Sequence, residues 1–296
     1  MAKKRKVAKR PKRKKRRASP KVSARRAVSI ATNERRTDEQ RVAALADSPL
    51  AACENDQDLE AVLNVLRNKD ESIKMRLGAL ESLQAASFSV DAFGPYRGDY
   101  FATLRKIADD PDPELRQRVL GILMRGKDGF AQKKLLEGLK NPDKALVPPE
   151  KALQLLSYDV HAEAYSAARA IVKKPPNDDA RREALRLLAA DANSAPMFEK
   201  LLRDKNELRE IRQISASALH ALKPEKLQEQ ARKILLDKSD YDDIKATSLT
   251  ALEQFGEDQA IGDDKTLLKS VDRLSAGEAP TKYKQSARRF LSKHRP

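Results

Sequence analysis

The chain has no tryptophan, a single cysteine at Cys53, and only 4% aromatic residues among its 296 positions. One thiol excludes an intramolecular disulfide and a cysteine-rich zinc site, and it fits a reducing compartment. Scarce aromatics leave few platforms on which unpaired bases could stack. No run approaches eighteen consecutive apolar residues, so nothing reads as a membrane span. The N-terminal stretch lacks the apolar core of a secretory signal peptide. The expectation is a soluble intracellular protein, cytoplasmic, nucleoid-associated or nuclear. Acidic residues are missing from both ends: residues 1–26 hold fifteen Lys or Arg and residues 279–296 hold six, with no Asp or Glu in either. All 44 acids lie in residues 27–278, against 39 basic residues, so a body of charge −5 carries two basic ends.

Within the body, short helical runs alternate with breaks at Asn, Asp, Pro and Gly, and no convincing strand-like alternation is present. DLEAVLNVLRN is followed by ESIKMRLGALESL, and DYFATLRKIAD by PELRQRVLGILM. The second run of each pair carries an apolar residue, then a basic one, then small or apolar residues at +4 and +7. The pattern occurs at Ile73-Lys74 with Leu77 and Leu80, Leu115-Arg116 with Val119 and Ile122, and Ala180-Arg181 with Ala184 and Leu187. It returns at Ile211-Arg212 with Ser215 and Ala218, Ile244-Lys245 with Ser248 and Ala251, and Tyr283-Lys284 with Ala287 and Phe290. A copy at Pro149-Glu150 with Leu153 and Leu156 loses the basic residue. Successive starts lie 42, 34, 31, 31, 33 and 39 residues apart, periods that belong to stacked helical pairs in which each unit buries its apolar stripe on its neighbours.

The stretch DPDPELRQRVLGIL, with Asp110, Pro111 and Asp112 ahead of Leu115-Arg116, resembles the turn and second helix of a HEAT-like repeat. The resemblance covers residues 58 to 296 and is poorest around Pro148-Pro149. It implies an all-α fold, a right-handed α-solenoid of about seven HEAT-like helical hairpins whose second helices line a concave face. The organisation read from the chain is a disordered polybasic tail over residues 1–36, a short capping helix and linker over 37–57, and the repeat array over 58–296. In TDEQRVAALAD, Thr37 is the expected N-cap with Gln40 three residues on.

HEAT-like architecture serves scaffolds, transport receptors, lyases and repair proteins, so it does not define an activity. DNA glycosylases built on this repeat depend on aromatic side chains and a catalytic Asp, and phycobilin lyases share the repeat type. The scarce aromatics count against the first and nothing suggests a phycobilisome context for the second; a HEAT-type DNA-processing enzyme such as a glycosylase stands as the alternative. No phosphate-cradling glycine motif, nucleophile elbow or kinase signature is present. His161, His220 and His294 fall in different repeats, with no spacing that would place two on one metal, and His220 in ASALHAL reads as a satisfied, partly buried side chain. Asp109-Asp110 and Asp242-Asp243 read as helix-start acids that complement the dipole. The expectation is a non-enzymatic scaffold or adaptor without metal or cofactor.

Two features point to partners. Lys74, Arg116, Arg181, Arg212, Lys245 and Lys284 recur once per repeat and could form a basic ladder along the groove, suited to a polyanion; alternatively, each pairs with turn acids such as Asp112, Asp179 or Asp243, or with acids in the next repeat. The tail offers Lys3, Lys4, Arg5, Lys6, Lys9, Arg10, Lys12, Arg13, Lys14, Lys15, Arg16, Arg17, Lys21, Arg25 and Arg26. Fifteen positive charges with little to bury favour disorder when free and non-specific binding to nucleic acid, DNA or RNA, through phosphates. Competing readings are an import address in KKRKV, residues 3 to 7, attraction to an anionic membrane surface, and docking on the acidic body. Ser19, before Pro20 and after Arg16, is a position where phosphorylation would cancel part of the charge.

Overall fold

The computed structural model describes residues 23–46, 50, 56–278 and 281–294. Cys53 and the tail up to residue 22, with the disorder expected there, lie outside the described residues. Every regular element among the described residues is helical. The chain divides into two compact units, residues 1–119 and 120–296.

The first unit contains α1 (Ala24–Ala31), α2 (Asp38–Ala46), α3 (Asp56–Arg67), α4 (Ile73–Ala86), the short α5 (Val90–Phe93), α6 (Arg97–Lys106) and the start of α7 (Pro113–Arg125). Helices α1 and α2 pack as a pair, as do α3 and α4, and α1 meets α3 while α2 meets α4. Residues 24–31 therefore correct the tail boundary read from the sequence. Ala24, Ala27, Val28 and Ala31 recur at i, i+3, i+4 and i+7 and are all buried, which is the apolar stripe of an amphipathic helix. Ser23 caps it through the amide of Arg26. The expected capping helix is present as α2, and Thr37 Oγ1 accepts from the Gln40 amide. It acts as the second member of a full hairpin, because α1 supplies the partner.

The second unit contains the end of α7, then α8 (Gly129–Lys140), α9 (Pro149–Leu156), α10 (Ala162–Lys173), α11 (Asp178–Leu188), α12 (Ala195–Arg203), α13 (Arg209–Leu222), α14 (Pro224–Leu236), α15 (Asp242–Phe255), the short α16 (Asp258–Asp263), α17 (Lys265–Ala276) and α18 (Thr281–His294). Each of α8/α9, α10/α11, α12/α13, α14/α15 and α17/α18 is a packed hairpin. The second helices also contact one another in succession, α9 on α11, α11 on α13, α13 on α15 and α15 on α18. This is the all-α helical-repeat packing expected from the period.

Burial follows the sequence motif. Val119, Ile122, Ala184, Leu187, Ser215, Ala218, Ser248, Ala251, Ala287 and Phe290, the +4 and +7 positions of five copies, are all buried. In the copy without a basic residue, Leu153 and Leu156 are likewise buried. Ser215 and Ser248 satisfy their hydroxyls on the carbonyls of Ile211 and Ile244 one turn back, so a polar side chain fits the seam. Asn177, Asp128 and Asp264 cap α11, α8 and α17 through the amides of Ala180, Ala131 and Leu267, each replacing an orphan-donor contact with water.

One copy of the motif is out of register. Ile73 is partly exposed, whereas Met75 and Ala79 are fully buried, so the buried face of α4 is counted from Met75-Arg76 and not from Ile73-Lys74. The β-branched Ile73 opens the helix, just after the N-cap Ser72, where its side chain is clear of the seam.

Candidate interaction surface

Counting from the first residue of each second helix, position four is basic in all but one. It is Arg41 in α2, Arg76 in α4, Arg116 in α7, Arg181 in α11, Arg212 in α13, Lys245 in α15 and Lys284 in α18, with Ala152 as the exception in α9. Three of these arginines share one geometry. Arg41 Nε donates to the carbonyl of Ala31, Arg76 Nε to that of Leu66, and Arg212 Nε to that of Leu202, in every case ten residues back in the last turn of the first helix. Those carbonyls have no partner within their own helix, and a cation there also meets the negative end of the dipole.

The rest of each guanidinium reaches an acid in the next repeat's turn. Arg41 makes a two-pronged contact with Glu71, Arg76 bonds Asp110 at 2.5 Å, and Arg212 bonds Asp240 at 2.7 Å. Arg181 bonds both carboxylate oxygens of Glu207, at 2.8 and 2.6 Å. Each pair is a rung that ties one repeat to the following one. The hydrogen bonds from Arg181 hold the Glu207 carboxyl below its ordinary range. Burial acts to raise Asp110, but the hydrogen bond from Arg76 and the amide of Asp112 outweigh it and lower its pKa.

This settles where the sequence-predicted ladder residues lie. Arg212 is 2% exposed and Arg181 is engaged with Glu207, so neither presents a free charge to a groove. Arg116 Nη1 donates to the carbonyls of Asp110 and Pro111 in its own turn. Lys74 sits two positions before the rung, exposed, and pairs with Glu39 at 2.5 Å; that ion pair brings Glu39 down to about 2. Lys245 and Lys284 are partly exposed. Arg41 and Arg76 complete the series; the sequence motif in α4 starts two residues ahead of the buried register, and the reading of α2 as a cap leaves Arg41 outside it. Arg41, Arg76 and the 35-residue interval between them were the available signal. Asp110 is likewise a rung acid and not a cap; the cap of α7 is Asp112, whose carboxylate accepts from the Leu115 amide. Asp243 accepts from the Ile244 amide and is held by both its oxygens on Arg209 Nε at 3.0 Å.

The exposed edges of α13, α15 and α18 form a groove of about 360 Å³, lined by Gln213, Ser217, His220, Thr247, Thr250 and Ser286 among others. Its side chains are short hydroxyls, an amide and an imidazole, with the Asp243 carboxylate, the Tyr283 phenol and Ala246. His220 Nε2 lies 2.8 Å from Gln254 Oε1, so it is satisfied and partly buried as its sequence context suggested. The surface offers donors and acceptors to a polar backbone. Among the described residues no group of His, Cys, Asp and Glu side chains could hold a metal ion. His161 pairs with Asp159, and His294 is buried at the end of α18.

Of the tail residues, Arg25 and Arg26 are described. They stand exposed on α1, on the side away from its buried alanines. Lys3, Lys4, Arg5, Lys6, Lys9, Arg10, Lys12, Arg13, Lys14, Lys15, Arg16, Arg17 and Lys21 lie outside the described residues. No described helix is long and apolar enough to cross a membrane.

No family model matches the chain, and no curated protein matches it. Among solved structures it is similar to the complex of CpcE and CpcF of phycocyanin lyase from Nostoc sp. PCC7120, at 14% identity and a TM-score of 0.38, over 92% of this chain and 99% of that one. The expectation of a non-enzymatic chain is corrected here: the similar structure is that of a lyase, and a helical-repeat architecture does not exclude catalysis. At that TM-score the likeness assigns no activity to this chain.

Proposed function

We propose that this helical-repeat protein joins a protein partner to nucleic acid. The groove over α13, α15 and α18 takes the partner, and the N-terminal segment holds nucleic acid without sequence preference. The observation that carries the reading is the partition of charge: fifteen basic residues and no acid in residues 1–26, against a body of charge −5. Lys and Arg that neutralise phosphates release condensed counterions, which gives affinity with no base readout. A groove whose lining holds the Asp243 carboxylate and no lysine or arginine offers a phosphate backbone no counter-charge and suits a polypeptide. The buried or paired state of Arg181 and Arg212 removes the strongest groove cations from competition with the tail.

The test is fluorescence anisotropy with a labelled duplex DNA and a structured RNA, using the full chain and a chain lacking residues 1–22, which keeps α1 intact. If about six to ten phosphates are neutralised, log affinity against log salt should fall with a slope near −5 to −9. Replacing Arg13, Lys14, Lys15, Arg16 and Arg17 with Ala should flatten the slope by up to about four and weaken all sequences alike. Binding that survives loss of residues 1–22, resists salt and selects a sequence would overturn the reading and move the protein into the DNA-processing class.

A further inference from the structure

The second helix without a basic residue at position four is α9, and the space beside it is open. In another rung of the same unit, on α13, Arg212 fills the gap between helices by bonding the Leu202 carbonyl, ten residues back, and Asp240 in the next turn. In α9 the basic residue of the sequence motif gives way to Glu150, and the fourth residue is Ala152. The residue ten positions back is Pro142, and the turn that leads into α11 carries Pro176 where a rung acid would stand. All three line one cavity of about 560 Å³, walled by Leu135 and Leu139 of α8, Val147 of the connecting loop and Ile171 of α10. The arginine and the acid of the rung are both absent here, the Pro142 carbonyl is taken by the Ala145 amide at 3.1 Å, and the volume falls within the usual range of small-molecule pockets.

The loop that closes the cavity depends on Gly138. A Cβ there would lie 2.9 Å from Ala145 Cα, so only glycine lets the loop approach α8 this closely. At the mouth stand Lys140, ending α8, and Lys174, following α10. Both are exposed, and among the described residues neither makes an ion pair, in contrast to Lys134 and Lys144, which both pair with Glu137. Asn177 at the same rim has its amide on Glu150 at 3.3 Å. An apolar chamber with two cations at its opening matches a ligand with an apolar body and an anionic head.

We propose that this cavity binds an amphipathic carboxylate, its hydrocarbon body between Leu135, Leu139, Val147 and Ile171 and its carboxylate at Lys140 and Lys174. The apolar body contributes by leaving water, and the head selects charge sign, because a cationic head would face two lysines at close range.

The probes are decanoate, decanol and decyltrimethylammonium, each below its micelle concentration, titrated calorimetrically into the full chain. Decanoate should bind one saturable site, decanol more weakly and decyltrimethylammonium weakest. Ala152→Leu, which fills the chamber, should weaken decanoate at least about tenfold. The double variant Lys140→Gln with Lys174→Gln, confined to exposed side chains and so usable even if Ala152→Leu does not fold, should weaken decanoate by about tenfold and leave decanol unchanged. Absence of saturable decanoate binding, equal affinity for the cationic amphiphile, or decanoate affinity untouched by the lysine double variant would each overturn the proposal.

Discussion

Arg212 and Asp240 form an ion pair at 2.7 Å in which both side chains are almost fully withdrawn from water. Two things make this tolerable. The Arg212 Nε also meets the Leu202 carbonyl, and Asp240 also accepts from the amide of Tyr241. The guanidinium further lies 6.0 Å from the centre of the Tyr241 ring, which Arg209 approaches at 4.9 Å. A buried pair of this kind adds little net stability over an apolar replacement, but removing one partner strands the other charge.

Arg212→Met should therefore lower unfolding free energy by about 3–5 kcal/mol. Adding Asp240→Asn, which keeps an acceptor for the Tyr241 amide, should make the double variant less destabilised than the sum of the single changes, with a coupling energy of about 1–3 kcal/mol. Urea unfolding of the four proteins measures it. Simple additivity would show that the rung does not couple the two repeats.

His294 provides a pH-dependent test. Its ring is buried against Phe290, with centroids 4.6 Å apart, and neither ring nitrogen has a hydrogen-bond partner among the described residues. Burial and then Lys293 lower its pKa, while Asp258, 3.6 Å from Nδ1, and Glu253 act in the opposite direction. Because the folded value lies below the unfolded one of about 6.5, the unfolded chain binds the proton first. The contribution to stability is complete above about pH 6.5 and declines as pH falls toward the folded value. His294→Leu should flatten the melting temperature between pH 7 and pH 5 relative to the unaltered chain. An unchanged pH profile would place the ring in water.

Gly138 is a close-approach glycine. Gly138→Ala would gain up to about 1 kcal/mol of helix propensity but would force a Cβ against the backbone of Ala145, an overpacking that costs about 1–3 kcal/mol. A net loss of about 1 kcal/mol in chemical denaturation is expected. A net gain would mean that the 141–148 loop yields freely and the cavity wall is soft.

Lys127 has φ of 57° in the turn that ends α7. Its amide meets the Met124 carbonyl, and the Asp128 amide meets that of Leu123, the bonding pattern of a left-handed helix terminus. Lys127→Gly should stabilise by about 0.5–1 kcal/mol, since glycine adopts this conformation without the Cβ penalty. Thermal unfolding should show a small rise; a fall would indicate that the pair of Lys127 with Asp159 at 3.9 Å outweighs the strain.

The sequence by itself determined the all-helical repeat, the buried +4 and +7 positions, the Thr37 cap and the concentration of positive charge at the N-terminus. These are local properties: apolar spacing at the helical period, a cap within three residues of its amide, and composition. The tertiary structure decided what depends on groups far apart in the chain. Lys74 and Arg76 are indistinguishable as basic residues, and only packing of α4 places Arg76 inside, on an acid 34 residues away. Asp110 reads as a cap until the neighbouring repeat brings that arginine to it. The N-terminal helix α1 was hidden because Arg25 and Arg26 share its residues with a stripe of alanines too small to stand out in a basic stretch, and it acquires its apolar partner only when α2 and α3 pack against it. The loss of the basic residue at Pro149-Glu150 was legible as a weak copy of the motif. That Pro142, Ala152 and Pro176 then face one chamber is a consequence of stacking, because long side chains fill the space between helices elsewhere and alanine with two prolines does not.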